Sequence, residues 1–572
     1  MKIFVSAVVA ASGFLAIPVA AQEIDPLAPM PTQPTPAPTP TPVVAPLKSW
    51  PLILNAVARG EWDLAQRSIL GMDRRDPLYA YALAELYTAP GSPLISGEQA
   101  ASLVAIAPEL PQAGALSRLA RERGSAAPPT PVERGLVSIG SASRRFRAAS
   151  VGDPVGERVR AQLEQAIKTN DGPAAEQIYR QAVAYEGLAG EAQAEIAQRA
   201  AWIYFVSGDM GGARRMALEG MAAGRGEWRA QSAWVLGLAS WRQNDCNTAA
   251  SAFRETALGT RDRELGAAGH YWTARAEQAC RRPQRIGQSL RAAAVDPETF
   301  YGQLARERLG ERRQLPERVE APSPAQVQAV EALPNVARAR ALVAMDRRAQ
   351  AEALLRHQAR IGDPTQHQIL VRTAADLGLG VQYYLATNAP RGTLLNARDR
   401  YPAPDWTPDN GWRIDPYLAF AHIIQESDFR ENVVSPADAV GLMQVRPGTA
   451  RDTARSRGQS VTAEQLKDPE TNIDHGQAFI EQMRRNPATR DQLMRVIAAY
   501  NAGPVPVARW AAIPGDDPLL WMESLPYWET RFYIPSVLRN YFVYHAEAGT
   551  TPAALRDLVQ GRPPTYPATM RP

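Results

Sequence analysis

The residue in this chain best placed to do chemistry is a carboxyl in apolar company. Glu426 stands near the end of a stretch that opens with Asp415-Pro416 and runs on as YLAFAHIIQES. Asp followed by Pro is a helix start, with Asp as the N-cap and Pro at the first helical position, and the residues after it are apolar on most sides, as in a core helix. A carboxyl following Ile423 and Ile424 loses water, which disfavours its charged form and raises its pKa. An acid kept protonated near neutral pH can give up a proton as a general acid. Taken alone, a Glu near a helix end also reads as a solvated surface residue. Other chemistries find little footing. The histidines (His270, His357, His367, His422, His475, His545) include no HExxH or comparable spacing, so neither metal nor cofactor is expected. There is no GxSxG elbow and no P-loop, and the two cysteines, Cys246 and Cys280, lie in repeats and not in a nucleophile motif.

The elements that must position Glu426 belong to a chain of 572 residues, enough for two or three domains. Its formal charge of +4 suits an anionic polymer but lacks the basic stripe of a nucleic-acid reader, so no nucleic-acid partner is expected. Met1-Lys2, an apolar run from Ile3 to Val19 and the small residues Ala20 and Ala21 read as a signal peptide over 1–21. The alternative is an uncleaved anchor, though Gly13 and Pro18 interrupt the run. No later segment is apolar for long enough to span a membrane, and no cysteine stands near the cleavage point to carry a lipid. A periplasmic location is expected. Ten of the 48 prolines fall between Pro26 and Pro51, so residues 22–51 are expected to be a disordered, extended tether.

Residues 52–312 read as an all-α superhelical repeat region. Three stretches, 200–220, 232–259 and 269–294, each place an aromatic-bearing helix before a polar turn and an Ala-rich helix, and Trp202, Trp234 and Trp272 recur at 32 and 38 residues. The tryptophans are expected to fill the seam between repeats, with sugar-stacking platforms as the other reading. Cys246 would begin the second helix of one hairpin and Cys280 end the first helix of the next, at the same end of the stack. A disulfide is expected there, separate thiols being the alternative. Residues 313–397 read as a helical linker subdomain, 398–556 as the domain holding Glu426, and 557–572 as a C-terminal tail.

Around Glu426-Ser427-Asp428-Phe429 the sequence carries Ser435, then Gly441-Leu442-Met443-Gln444 with Pro447-Gly448-Thr449-Ala450, Asp468-Pro469-Glu470-Thr471-Asn472, Ala499-Tyr500-Asn501-Ala502-Gly503, and Glu529-Thr530-Arg531 with Tyr533. In order and spacing these blocks resemble the soluble lytic transglycosylases, which cleave bacterial peptidoglycan. The resemblance is firm over 398–550 and looser upstream. It departs from the family at Phe429-Arg430-Glu431, where many members read F-N-P, at Asp438, where they have glycine, and at Arg446, where some have Met.

The resemblance implies a lysozyme-like catalytic domain behind a helical superhelix, and a reaction with one acid where glycosidases ordinarily use two carboxylates. Glu426 would protonate the oxygen between N-acetylmuramic acid and N-acetylglucosamine, then take the proton of the muramic C6 hydroxyl as that oxygen closes a 1,6-anhydro ring. Gln444, Tyr500 and Asn501 would bind or orient the saccharide, Ser427 and Ser435 would hydrogen-bond nearby, and Glu529 would complete the cleft. Met443 is counted with the substrate contacts, though with Leu442 it also reads as a turn residue packed into the core. Tyr500 reads equally as a core aromatic with its hydroxyl satisfied. Partners would be peptidoglycan glycan strands, with cell-wall enzymes or envelope complexes beside them. The alternatives are a muramidase hydrolysing the same bond, with its base sought first at Asp438, on the turn before Gly441, and then at Asp428 and Glu529, and a glycan-binding envelope scaffold.

Overall fold

The computed structural model describes residues 45–566, so the signal peptide and most of the tether lie outside the described residues. Twenty-seven α-helices account for nearly all regular structure among those residues; the only sheet is a two-residue pair, Val137-Ser138 against Asn388-Ala389. The expected all-α class holds. The first helix, Trp50–Ala58, begins inside the segment read as tether, because Pro51 occupies its first turn, where a missing amide hydrogen costs nothing.

The repeats are helix hairpins: Gly190–Ser207 with Met210–Ala223, Glu227–Arg242 with Cys246–Gly259, and Arg263–Ala279 with Pro283–Ala294. Asp209 and Asp245 cap the second helices of the first two, accepting from Gly212 N at 2.8 Å and Thr248 N at 3.1 Å. Trp234 and Trp272 meet edge to face at 6.3 Å with Phe253 packed against both. Gly237 makes this possible, because a Cβ there would enter the Phe253 ring. Trp202 differs: it is half-buried under the Arg531 guanidinium, which lies 3.7 Å from its ring centre. Cys246 and Cys280 are joined by a disulfide that ties neighbouring hairpins.

Hydrophobic packing does not follow the order of the chain. One core joins the helices between Trp50 and Glu122 to those between Pro324 and Thr387, with Arg338 bonded to Glu109 at 2.6 Å and to Pro77 O at 3.1 Å. A second core runs from Ala142 through the hairpins into the C-terminal helices, and a small third one gathers Ala148, Ala194 and Trp228. The first helices of the expected repeat region therefore share a core with the expected linker subdomain. Ala- and Leu-rich helices carry similar apolar faces, and nothing in such a face names its partner. The C-terminal stretch also differs from a free tail: Tyr566 is buried, and the backbone of Pro564 and Tyr566 bonds to Leu493 and Asp491.

Hydrogen bonds fix the hairpin stack to the C-terminal region. Trp272 Nε1 donates to Tyr301 Oη, Tyr301 donates to Glu523, and Glu523 pairs with Arg145, each step at 2.9 Å. Arg275 pairs with Asp517 at 2.7 Å, and buried Arg539 reaches Glu264 at 3.0 Å. The domain holding Glu426 is thus seated on the repeats through buried polar contacts, which are costly to break singly.

Candidate active site

Glu426 is the last residue of the Pro416–Glu426 helix, whose residues from Leu418 to Ile424 are all buried. Asp415 caps its start, accepting from Tyr417 N at 3.0 Å and from Tyr541 Oη at 2.9 Å. The helix lies along Trp528–Glu547, where Asn540 Nδ2 donates to Ala421 O. That neighbour supplies Tyr533, whose hydroxyl donates to Glu426 Oε1 at 2.5 Å. Burial pushes the Glu426 carboxyl up to about 7; the Tyr533 bond and the Arg144 charge pull it down, and the Glu529 charge pushes it higher. Near neutral pH the group therefore divides between acid and carboxylate, as a residue that gives a proton and takes one back requires.

Aromatic groups surround it. His422, one helical turn before Glu426, contacts the rings of Tyr500 at 5.0 Å and Tyr533 at 6.1 Å. Its Nδ1 meets Leu418 O, and burial pushes the imidazole down to about 4, so it is neutral and adds no charge beside the acid. The Tyr500 hydroxyl donates to Met443 O at 2.7 Å, and burial, with the Glu426 charge nearby, holds the phenol well above its usual range. Tyr500 therefore keeps its proton, and its half-buried ring is braced by His422 and Phe479.

The Gly441–Gln444 turn forms the next wall. Gly441 is left-handed at φ 76°, and a Cβ there would collide with the Asn472 amide and Leu466 O. Asn472, fully buried, donates to Val440 O and Leu466 O and accepts from Met443 N at 2.8 Å. Met443 is buried and packs on Gly476, so the structure gives its side chain to the core and its carbonyl to Tyr500. Gln444 is left-handed, at φ 49°, and its amide nitrogen holds Gly441 O and Val433 O. Asn501 accepts from Thr530 Oγ1 at 2.6 Å and donates to exposed Glu529 at 3.2 Å, joining the Leu493–Ala502 helix to the start of Trp528–Glu547.

Both serines bond to backbone. Ser427 is buried and donates to Ile423 O at 3.2 Å. Ser435 Oγ accepts from Ala437 N and Ala439 N, shaping the turn that carries Asp438. Asp438 is exposed at φ 59°, a left-handed position that glycine fills without strain and Asp tolerates. Arg446 is exposed before the Pro447–Ser456 helix, and Arg430 donates to Ser427 O. Glu431 is buried, with Oε1 unpartnered, and burial beside Glu352 pushes its carboxyl up to about 8. In the sequence Tyr533 stands out only as part of a motif, with no role of its own, and Arg144 does not stand out at all: this guanidinium, 280 residues upstream, donates to Ile424 O at 3.1 Å and to Asp428 at 2.8 Å, closing the end of the Glu426 helix. No local signal marks a contact across that separation.

Comparison with known proteins finds relatives over the same segment. Residues 408–518 match the Transglycosylase SLT domain family. The soluble lytic murein transglycosylase of Escherichia coli K12 is 35% identical over 158 residues, which is 27% of this chain and 24% of that one. A putative soluble lytic murein transglycosylase of Haemophilus influenzae is 34% identical over 130 residues, 22% of each chain. The chain thus spans about a quarter of the length of the curated relatives it matches. The crystal structure of the 70 kDa soluble lytic transglycosylase of Escherichia coli aligns at a TM-score of 0.49 and 20% identity, covering 88% of this chain and 97% of that one. The stretch that holds Glu426 and the Gly441–Gln444 turn, with Tyr500 and Asn501, lies within the segment that matches the Transglycosylase SLT domain family.

Proposed function

We propose that this chain is a peptidoglycan lytic transglycosylase that cleaves the β-1,4 bond between N-acetylmuramic acid and N-acetylglucosamine without consuming water. The observation that carries the reading is the Glu426 carboxyl, pushed up to about 7 by burial and held by Tyr533 in an aromatic pocket. In its acid form it gives a proton to the glycosidic oxygen, and the C1–O bond breaks with the electron pair leaving on that oxygen. The substrate's acetamido group supports the cationic anomeric carbon. The resulting Glu426 carboxylate takes the proton of the muramic C6 hydroxyl while that oxygen bonds to C1, so the acid is regenerated and the product is a 1,6-anhydro ring. Gln444, Tyr500, Asn501 and Glu529 line the saccharide side, and Ser427, Ser435 and Met443 fit better as supports of the backbone around it. Residues 398–556 are the catalytic unit in this reading, with the 52–312 helices as its mount.

Hydrolysis by the same acid is a second reading, favoured by one observation: the Glu529 carboxylate is close enough for its charge to be felt at Glu426, and could serve as base for a water. Asp428 suits that task less, being tied to Arg144. Mass spectrometry of muropeptides released from purified peptidoglycan separates the two. Anhydro-ended fragments, lighter by one water and lacking a reducing end, are expected; reducing-end fragments as the main product would overturn the transglycosylase reading in favour of the hydrolase. The substrate lies in the bacterial envelope, and the reading includes export to the periplasm. No helix among the described residues is long and apolar enough to cross a membrane.

A further inference from the structure

The two large hydrophobic cores meet beside the active site at a pair of buried carboxyls. The Arg348–Ile361 helix belongs to the core of the first helices through Ala351, Leu354 and Leu355, and the loop after Glu426 belongs to the second core through Phe429. They converge at Gly380, where an added Cβ would lie 2.6 Å from Phe429 O and 3.4 Å from Glu352 Oε1. Glu352, 8% exposed, accepts from Val381 N at 2.7 Å and from Arg356 at 3.2 Å. Glu431, two residues past Phe429 and equally buried, makes no ion pair among the described residues, and its Oε1 has no hydrogen-bond partner. It stands where many members of the family have proline, so its role does not carry over from them.

No charge around Glu431 completes it. On the Arg348–Ile361 helix, Arg348 is engaged by Glu470 through two bonds at 2.9 and 3.0 Å, and Arg356 is turned to Glu352. Asp468 and Glu470, around the start of the Pro469–Arg485 helix, add negative charge, as does Glu352. On the Val381–Thr387 helix, Tyr383 is uncharged, its phenol pushed up to about 12 by burial. Within the loop, Arg430 donates to Ser427 O and Asp428 is paired with Arg144. An ionised Glu431 is therefore desolvated, unpaired and beside like charge, and each condition favours the protonated form. Burial is the largest of these and carries the carboxyl up to about 8. Facing carboxyls that cannot both ionise keep a proton between them.

We propose that Glu431 is a positioning residue for the reaction at Glu426: while the Glu431–Glu352 pair keeps a proton the loop stays seated on the Arg348–Ile361 helix, and when the proton leaves, like charge pushes the loop away. The link to the acid is short. Between Glu426 and Glu431 lie only Ser427 to Arg430, with Asp428 and Phe429 left-handed, so the segment has little slack to absorb a shift. Activity is then lost at alkaline pH twice over, once through the ionisation of Glu426 and once through release of the loop. The proposal takes Glu426 as the acid from the function proposed above.

The test is the pH dependence of muropeptide release by the full chain, wild type against Glu431→Gln, which keeps the shape and cannot ionise. Glu352→Gln, which removes the like charge, is the second route should the first variant not fold. Beyond a single ionisation the logarithm of the rate falls by about 1 per pH unit, and beyond two by about 2. Wild type is expected to approach the steeper slope above pH 8 and the variant to keep the shallower one. At pH 9 the variant should therefore be about ten times faster than wild type while matching it at pH 6. Melting gives a readout without substrate. A carboxyl raised in the folded state contributes its full stability below the unfolded pKa and loses it as pH climbs through the folded one. The melting temperature of Glu431→Gln should accordingly gain on wild type between about pH 5 and 8 and hold that lead above. A shallow slope in wild type, a steep slope that survives the substitution, or a melting difference that is flat across that range would each overturn the proposal. None of these outcomes decides whether Glu426 is the acid, which fails only if Glu426→Gln stays active.

Discussion

The hairpin stack and the loop after Glu426 treat backbone geometry in opposite ways. Between Gly190 and Ala305 only two non-glycine residues are left-handed, Asn244 and Arg281, and both occupy the turn between the helices of a hairpin. Between Glu426 and Gln444 there are four: Asp428, Phe429, Asp438 and Gln444. In the stack most local preferences agree with the fold, so most helices, caps and turns follow from residue type. In the loop the backbone is held in sparsely populated conformations by Asn472, Gly441 and the Arg144–Asp428 pair, and such strain gathers where a site needs fixed geometry. The stack is a mount and the loop is what it holds.

Changes that act on one region and spare the other test this division. Glu426→Gln is nearly isosteric and cannot carry the proton, so muropeptide release should fall by about 10² to 10⁴ with circular dichroism and melting unchanged. Activity within a few-fold of wild type would remove Glu426 from the chemistry. Replacing Cys246 and Cys280 together by Ser should do the reverse. The bond spans 34 residues, and releasing a loop of that size costs about 3 to 4 kcal/mol in the chain-entropy treatment. Urea unfolding should record that loss while turnover at low temperature stays near wild type; a parallel loss of turnover would mean the stack does more than carry the site.

The same contrast explains what the sequence made legible. The Asp415-Pro416 start, the apolar helix and the raised acid at its end follow from residue type, and the structure has each of them. The hairpins are readable because Asp209 and Asp245 cap and Trp234 and Trp272 recur. Trp202 recurs too, yet its outer face lines a cavity, because the C-terminal helix that meets it is more than 300 residues away in sequence. The resemblance implies that Ser427 and Ser435 hydrogen-bond near the saccharide, and in the structure their hydroxyls take part in local backbone bonds, as Ser commonly does at helix ends and turns. Partner choice among similar Ala-rich faces was not encoded locally, so the pairing of the first helices with residues 324–387 could not be read.

Smaller effects should sharpen the boundary of the site. Tyr533→Phe removes the hydroxyl that stabilises the Glu426 carboxylate, so the carboxyl pKa should rise further above about 7. The acid form is the one that starts the reaction and it disappears as pH rises through the pKa. The falling limb of the pH–rate profile, near 7 in wild type, should therefore move to higher pH in the variant, with a modest loss of rate below it. A loss at every pH with the limb in place would make Tyr533 a packing residue only.

Arg144 gives the smallest and most discriminating effect, because it lies outside the motif-bearing domain and touches the Glu426 helix only through Ile424 O and Asp428. Its positive charge favours the Glu426 carboxylate, so Arg144→Ala should also move the falling limb upward, but by less than Tyr533→Phe, since a half-exposed guanidinium is screened by water. Two controls separate charge from shape. Arg144→Lys keeps the charge and loses the fork, so the limb should return toward wild type even if the loop through Asp428 loosens. Raised salt should shift the wild-type limb toward that of Arg144→Ala and leave the alanine variant where it is. A limb that ignores both the substitution and the salt would confine Arg144 to closing the helix end, and the separation between mount and site would then be complete at this contact.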